Sequence, residues 1–125
     1  MQNRRVILVV EDNPIIRMCA VDLVDAAGFE ALEAGSADEA ILLLEARPDI
    51  HLVFTDVEMP GTMDGLKLSH YIRGRWPLVK LILASGKMII NESHLPANAR
   101  FFSKPYQEGM IVGAMIALLS DGPAP

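Results

Sequence analysis

The stretch Leu52-Val53-Phe54-Thr55-Asp56-Val57-Glu58-Met59-Pro60 decides how the rest of the chain is interpreted. Its first part is an apolar run of strand-forming residues that ends on one carboxylate, Asp56, and Pro60 then stops the strand pattern. In open α/β sheets, ligands and chemistry collect at the carboxyl ends of the strands. The stretch therefore predicts a buried strand that presents Asp56 at a functional edge.

Strand and helix patterns alternate along the chain. The predicted strands are 5–10, 29–34, 52–56, 79–84 and 101–102. The predicted helices are 14–27, 37–47, 66–75 and 107–119, the first capped by Asn13 before Pro14 and the second by a capping box over 36–39. The expected buried stripe of the first helix consists of Ile16, Ala20, Leu23, Val24 and Ala27. Segment 87–100 predicts a short or distorted helix, because Asn and Pro residues interrupt it. The alternation indicates parallel βαβ units, hence a doubly wound α/β domain with helices on both faces.

Polar residues from separate segments would meet at one edge of this sheet. They are Glu11 and Asp12 after the first strand, Asp56 at the end of the third, Ser85 after the fourth and Lys104 after the fifth. Carboxylates brought together repel one another, and Mg²⁺ is the hard cation that best relieves this while sharing a phosphate. The set therefore predicts a phosphoryl-transfer site in which Asp56 is the nucleophile.

Composition narrows the possible functions. A chain of 125 residues is long enough for one substantial core, and a net charge of −5 offers no broad basic surface for nucleic acid. Its apolar runs are shorter than the roughly 20 residues of a membrane span, so a cytoplasmic protein that binds neither nucleic acid nor membrane is expected. The single Cys19 cannot form an internal disulfide and is expected to be reduced and partly buried.

In order and spacing, the motifs closely resemble the receiver domain of bacterial two-component response regulators. The matching pieces are Val9-Val10-Glu11-Asp12-Asn13, Asp56 with Met59-Pro60-Gly61, Met63-Asp64-Gly65, Ala84-Ser85-Gly86 and Lys104-Pro105. They cover nearly the whole chain, and their combination is far more specific than any one of them. The resemblance implies a five-stranded flavodoxin-like sheet of order 2-1-3-4-5.

The resemblance also implies roles for the site residues. Asp56 would accept a phosphoryl group from a histidine kinase or histidine phosphotransfer protein. Asp12, Asp56 and the main-chain carbonyl of Glu58 would bind Mg²⁺, with Glu11 acting largely through water. The remaining roles fall on Ser85 and Lys104, which would contact the phosphoryl oxygens, and on Phe101, the aromatic switch that would rotate inward when Ser85 moves.

The chain departs from the family pattern beside the site. Relative to the family pattern, Thr62 is an extra residue in the loop after Asp56, and the interval between Ser85 and Lys104 is short, which predicts a short or irregular fourth helix. Glu58 and Lys87 would flank the path of an attacking water. They are either two solvated charges or a weak surface pair, or Glu58 positions the water and shortens the phosphoryl lifetime.

The last helix has an unusually apolar surface. Its predicted core face consists of Ile111, Met115, Leu118 and Leu119. Off this stripe lie Met110, Val112 and Ile116, which predict either a homodimer or partner interface or an incidental exposure that the fourth segment could cover.

The resulting expectation is a receiver domain over 1–121 with a frayed tail over 122–125 and no output domain. Such a protein would signal by protein contact, as a switch, a relay or a phosphate sink, without enzymatic turnover beyond its own phosphorylation and dephosphorylation. Two alternatives remain: a scaffold with a receiver fold that works without phosphorylation, and an aspartyl-phosphate phosphatase related to the haloacid dehalogenases.

Overall fold

A computed structural model describes residues 4–87 and 90–120 of the chain. The strands are β1 (Val6–Val10), β2 (Glu30–Ala34), β3 (Ile50–Asp56), β4 (Lys80–Ser85) and β5 (Arg100–Ser103). The α-helices are α1 (Pro14–Ala26), α2 (Ala37–Ala46), α3 (Gly65–Arg75) and α4 (Glu108–Leu119). A short 3₁₀ turn, Glu92–His94, lies between β4 and β5. The predicted tail over 122–125 lies outside the described residues.

The strands form one parallel sheet in the order β2-β1-β3-β4-β5, which confirms the predicted doubly wound fold. β1 is buried along its whole length because helices cover both faces of the sheet. Two separate apolar clusters result, one on each face, with Leu8 and Val53 in one and Ile7 and Leu52 in the other. This alternation of side chains across the sheet holds the central strands rigidly and fixes where their carboxyl ends lie.

Local sequence explains where the first two helices begin. The Asn13 side chain accepts hydrogen bonds from the backbone N–H groups of Ile15 and Ile16, as the predicted cap requires. At α2, Ser36 Oγ accepts from the Glu39 N–H, but the Glu39 carboxylate accepts from the Gly35 N–H and not from Ser36. The predicted capping box is therefore formed with its return bond displaced by one residue.

β3 begins two residues earlier than predicted, because Ile50 pairs with Val6 and His51 lies at an irregularity between that pair and the next. The register between β1 and β3 shifts between Val6 and Ile7, and at this irregularity the Val6 N–H donates to His51 Nδ1 over 3.1 Å. The His51 ring nitrogen thus accepts a hydrogen bond that a backbone carbonyl of β3 would accept in a regular sheet. Burial, helped by the charge of Arg5, lowers the pKa of His51, which favours the neutral ring that this bond needs.

The segment before β5 is held in place by α3 and not by a helix of its own. Arg73 Nε donates to the Ala97 carbonyl, and Arg73 Nη1 donates to the carbonyls of Pro77 and Val79. One turn earlier on α3, His70 Nε2 lies 2.7 Å from the His94 carbonyl. The expected short or irregular fourth helix is thus a single 3₁₀ turn within residues 90–99.

Two sequence-based expectations about α1 are wrong. Cys19 is exposed and not partly buried, and Ile16, expected on the buried stripe, is 43% exposed. The buried residues of α1 are Ala20 and Val24, which form a narrower contact than the sequence pattern indicates. In residues 4–87 and 90–120, no helix combines the length and the apolar character needed to cross a membrane.

Candidate functional site

The register of the sheet brings the predicted site residues to one edge. Asp56 is the last residue of β3 and is paired in register with Ala84, so that Ser85 follows immediately beside it. The Val57 N–H donates to the Ala84 carbonyl, and the Lys104 N–H donates to the Ser85 carbonyl. These backbone bonds tie the ends of β3, β4 and β5 together and hold their side chains at a common level.

Asp56 and Lys104 form the central ion pair of this edge. Asp56 is 8% exposed, and its Oδ1 atom lies 2.7 Å from Lys104 Nζ. Although this distance is short, Oδ1 accepts no hydrogen bond of acceptable geometry within the described ranges, so the ion pair is what compensates for its burial. Burial raises the pKa of Asp56, and the lysine opposes this rise without cancelling it. For Lys104, burial lowers the pKa, but the close contact with the Asp56 carboxylate and the charge of Glu11 together leave it raised.

Glu11 and Asp12 complete an acidic cluster with Asp56. One oxygen from each of the three carboxylates lies within 4.8 Å of the others. Glu11 is buried, its Oε1 atom is 3.6 Å from Lys104 Nζ, and burial raises its pKa. Asp12 is exposed, which leaves room for water around a bound ion. Three carboxylates that include two buried ones form a donor set suited to a hard divalent cation such as Mg²⁺.

Ser85 lies at the site, but its hydroxyl is hydrogen-bonded to another residue, Glu58. The Ser85 side chain is 1% exposed, and its Oγ–H donates to Glu58 Oε2 in a short hydrogen bond. The other carboxylate oxygen of Glu58, Oε1, accepts from the Gly86 N–H over 3.2 Å. The sequence assigned Glu58 a main-chain role at the metal and a place beside water, but this side-chain contact was not predicted.

The remaining predicted residues lie around this centre. Phe101 is half-buried in β5 and packs against the cluster on one face of the sheet. Lys87 is exposed and borders an open cleft that Asp12 and Glu58 also line. On α4, Met110 and Ile116 are 58% and 50% exposed, whereas Val112 is only half-exposed. The extra residue Thr62 donates its hydroxyl proton to the Asp38 carboxylate over 2.9 Å, which ties the loop after β3 to α2.

Gly65 lies where the start of α3 packs against the end of β3. Its N–H donates to the Val57 carbonyl, and a Cβ added to it would meet the carbonyl oxygen of Asp56 and lie 2.8 Å from Val57 Cα. The backbone of α3 therefore touches the backbone that carries Asp56. The sequence placed Gly65 in a motif, but nothing in its local pattern reveals why the position is a glycine.

The fold and the site together define a flavodoxin-like α/β domain with an acidic cluster and a buried ion pair at the carboxyl edge of its sheet. The family model of the response regulator receiver domain matches residues 7–115, and the chain belongs to this family. Receiver domains are signalling domains of two-component systems, which interact with histidine kinases and downstream targets. The resemblance inferred from the motifs is thereby confirmed.

Individual relatives agree with this assignment. The chain is 35% identical over 104 residues to the sensor kinase CckA of Brucella abortus, and 33% identical over 104 residues to the response regulator protein FleR of Pseudomonas aeruginosa. These alignments cover 80% and 81% of the chain but only 11% and 22% of the two relatives. The crystal structure of a response regulator receiver protein from Pseudomonas putida is 30% identical, with a TM-score of 0.76 and coverage of 96% of this chain and 98% of that one.

Proposed function

We propose that the domain is a phosphorylation-activated switch in which Asp56 accepts a phosphoryl group from a histidine kinase or histidine phosphotransfer protein. The observation that carries this proposal is the position of Asp56. Its carboxylate is buried beside Lys104 Nζ and shares one edge with the carboxylates of Glu11 and Asp12. This arrangement pairs a nucleophile with a cation and with ligands for a metal, which are the parts that phosphoryl transfer needs.

In the proposed transfer, an Asp56 oxygen forms a bond to phosphorus while the bond from phosphorus to the donor histidine nitrogen breaks. The electron pair stays on that nitrogen, and the imidazole leaves neutral or protonated according to the pH. Lys104 Nζ stabilises negative charge on one phosphoryl oxygen, and Ser85 donates a hydrogen bond to another. Asp12, Asp56 and the Glu58 main-chain carbonyl would hold Mg²⁺, with Glu11 acting through water. The ion supplies further charge neutralisation at the phosphoryl group.

The signal would pass through Phe101. When Ser85 moves toward the phosphoryl group, the half-buried ring is expected to rotate inward. Because phenylalanine has no hydroxyl, burial of the ring alone would drive the rotation. A Phe101 ring whose environment is unchanged in the phosphorylated protein would contradict this step.

The direct test is incubation with Mg²⁺ and acetyl phosphate, followed by intact mass measurement over time. We expect one labile phosphate on the wild-type chain and none on Asp56→Asn. Decay of the adduct then tests whether Glu58 and Lys87 control access of water, since unchanged decay in Glu58→Ala and Lys87→Ala would remove that role. A folded wild-type protein that takes up no phosphate would favour the phosphorylation-independent scaffold, and turnover of small phosphate esters would favour the phosphatase.

The exposed apolar side chains of α4 are proposed to form a homodimer or partner interface. Met110 and Ile116 are the better candidates, because Val112 is only half-exposed.

Met110→Glu and Ile116→Glu are expected to reduce self-association measured by sedimentation, or binding to a cognate partner, by at least tenfold, about 1.4 kcal/mol. Leu42→Glu, at an exposed apolar position of α2 away from this helix, is the matched control. Assembly and partner binding unchanged from wild type in both Met110→Glu and Ile116→Glu would contradict the interface. The cytoplasmic location stays a prediction.

A further inference from the structure

The hydrogen bonds of Glu58 carry an inference about how the unphosphorylated state is held. Its carboxylate engages two neighbouring donors at once, the Ser85 hydroxyl through Oε2 and the Gly86 backbone N–H through Oε1. Two donors converging on one anionic group are what a bound phosphoryl group would also require. The carboxylate of Glu58 therefore takes donors that a phosphoryl group on the neighbouring strand end would use.

A serine hydroxyl carries a single proton, so it donates to one acceptor at a time. In the structure Ser85 gives that proton to Glu58, whereas the proposed phosphorylated state needs it on a phosphoryl oxygen. Ser85 follows Ala84, the register partner of Asp56, so both acceptors compete within one small region. A carboxylate left in place would also face the negative charge of the phosphoryl group, and the two would repel each other.

We propose that Glu58 is an internal competitor for the phosphoryl group, bound to Ser85 and Gly86 in the resting state and displaced when Asp56 is phosphorylated. This inference rests on the proposed function and deepens it. The displacement links phosphorylation to the loop after β3, since the residue that leaves Ser85 lies only two positions beyond Asp56. It also sets a threshold, because each phosphorylation has to break two hydrogen bonds of the resting state. Glu58 is thus a positioning residue that acts through Ser85.

Removing the Glu58 carboxylate should therefore increase the affinity of the Asp56 site for an anion. With Mg²⁺ and beryllium fluoride as the probe, Glu58→Ala is expected to bind at least about tenfold more tightly than wild type, the lower end of the change in affinity that loss of one competing hydrogen bond to a charged group produces. Glu58→Gln, which keeps an acceptor oxygen but loses the charge, should fall between the two. Glu108→Gln is the charge-matched control, because it removes one exposed carboxylate at the start of α4 without touching Ser85.

A double-mutant cycle separates competition from simple charge removal. In a Ser85→Ala background the gain from Glu58→Ala should shrink, because one of the two contested donors is gone and only the Gly86 N–H remains. A gain of the same size with and without Ser85, or one that Glu108→Gln reproduces, would overturn the proposal in favour of a general electrostatic effect. Unchanged or weaker binding by Glu58→Ala would overturn it outright.

Amide NMR spectra of the same samples report on the contact without any phosphoryl chemistry. The Gly86 amide proton should move upfield in Glu58→Ala, where it loses its anionic acceptor, and its exchange with water should become faster in the variant. A Gly86 amide that does not respond to Glu58→Ala would contradict the resting contact. If wild type and Glu58→Ala both fold but neither binds the probe, the proposed function fails and the inference fails with it, which differs from the case where wild type binds and the variant is no tighter.

Discussion

Replacing Lys104 by methionine is expected to lower the free energy of unfolding by about 2 kcal/mol near neutral pH without Mg²⁺. The change removes the cation beside Asp56 Oδ1 and Glu11 Oε1 and leaves two buried carboxylates without it. Loss of one partner of a fully buried pair costs about 3–5 kcal/mol. The effect here is smaller because the lysine side chain is 26% exposed and solvent screens the pair.

The stability lost in Lys104→Met should depend on pH because the carboxylates of Asp56 and Glu11 titrate. Burial raises the pKa values of Asp56 and Glu11, so the folded state binds protons more tightly than the unfolded state does. Without Lys104 this difference grows, and the stability of the variant rises as the pH falls from the raised folded pKa values towards the ordinary values near 4. The deficit relative to wild type should therefore shrink as the pH falls from neutral towards those ordinary values.

Urea unfolding of wild type and Lys104→Met, at neutral and at lower pH, would measure the loss of stability. Asp56→Asn in the Lys104→Met chain should restore most of the stability, because it removes the carboxylate that has lost its partner. Lys67→Met, at an exposed lysine of α3, is the control for loss of a lysine that is not part of the site. Equal stability of wild type and Lys104→Met near neutral pH would show that the ion pair does not hold the acidic edge together.

Two glycines of α3 provide the second large effect, with opposite signs. Gly65→Ala is expected to lower the free energy of unfolding by about 3 kcal/mol, because the new methyl group collides with backbone atoms of Asp56 and Val57 that cannot rotate away. Gly74→Ala should raise it by about 0.5 kcal/mol, since a Cβ there meets nothing within 4 Å and alanine favours the helix. Thermal and urea unfolding of both variants would test the pair.

The collision in Gly65→Ala should also slow the phosphorylation of Asp56. If α3 or the end of β3 moves to admit the methyl group, Asp56 shifts relative to Lys104, and modification by acetyl phosphate should slow by about tenfold or more. Gly74→Ala should be modified at the wild-type rate. Two variants with equal stability and equal rates would contradict the close backbone contact at Gly65.

The sequence was sufficient for the order of the elements and for the set of residues at the acidic edge. Apolar runs that end on Asp12, Asp56 and Ser85 are local signals, and parallel topology brings such ends together whatever the loops do. The start of β3 was missed because a polar residue, His51, interrupts the apolar run. Its role depends on Val6, 45 positions away, and no local pattern contains that information.

Side-chain contacts across the loops were the other part that sequence could not supply. The bond between Glu58 and Ser85 joins residues 27 positions apart, and it depends on how the loop after β3 turns. The exposure of Cys19 and Ile16 has a similar origin, since the width of the buried stripe on α1 is set by how that helix lies on the sheet. Periodicity gives the direction of a helical face but not the depth to which the face is buried.

Arg73 gives the segment before β5 an unusual tolerance to sequence change. Its guanidinium binds one carbonyl oxygen of that segment, at Ala97, and every amino acid offers the same carbonyl, so this contact does not depend on the side chain at position 97. Exposed positions such as Glu92 and Ser93 can therefore change, and alter what that surface recognises, while Ile90 and Leu95 keep the segment packed on the core. Lysine could not replace Arg73, because a single ammonium group lacks the fork that reaches the carbonyls of Ala97, Pro77 and Val79 at once.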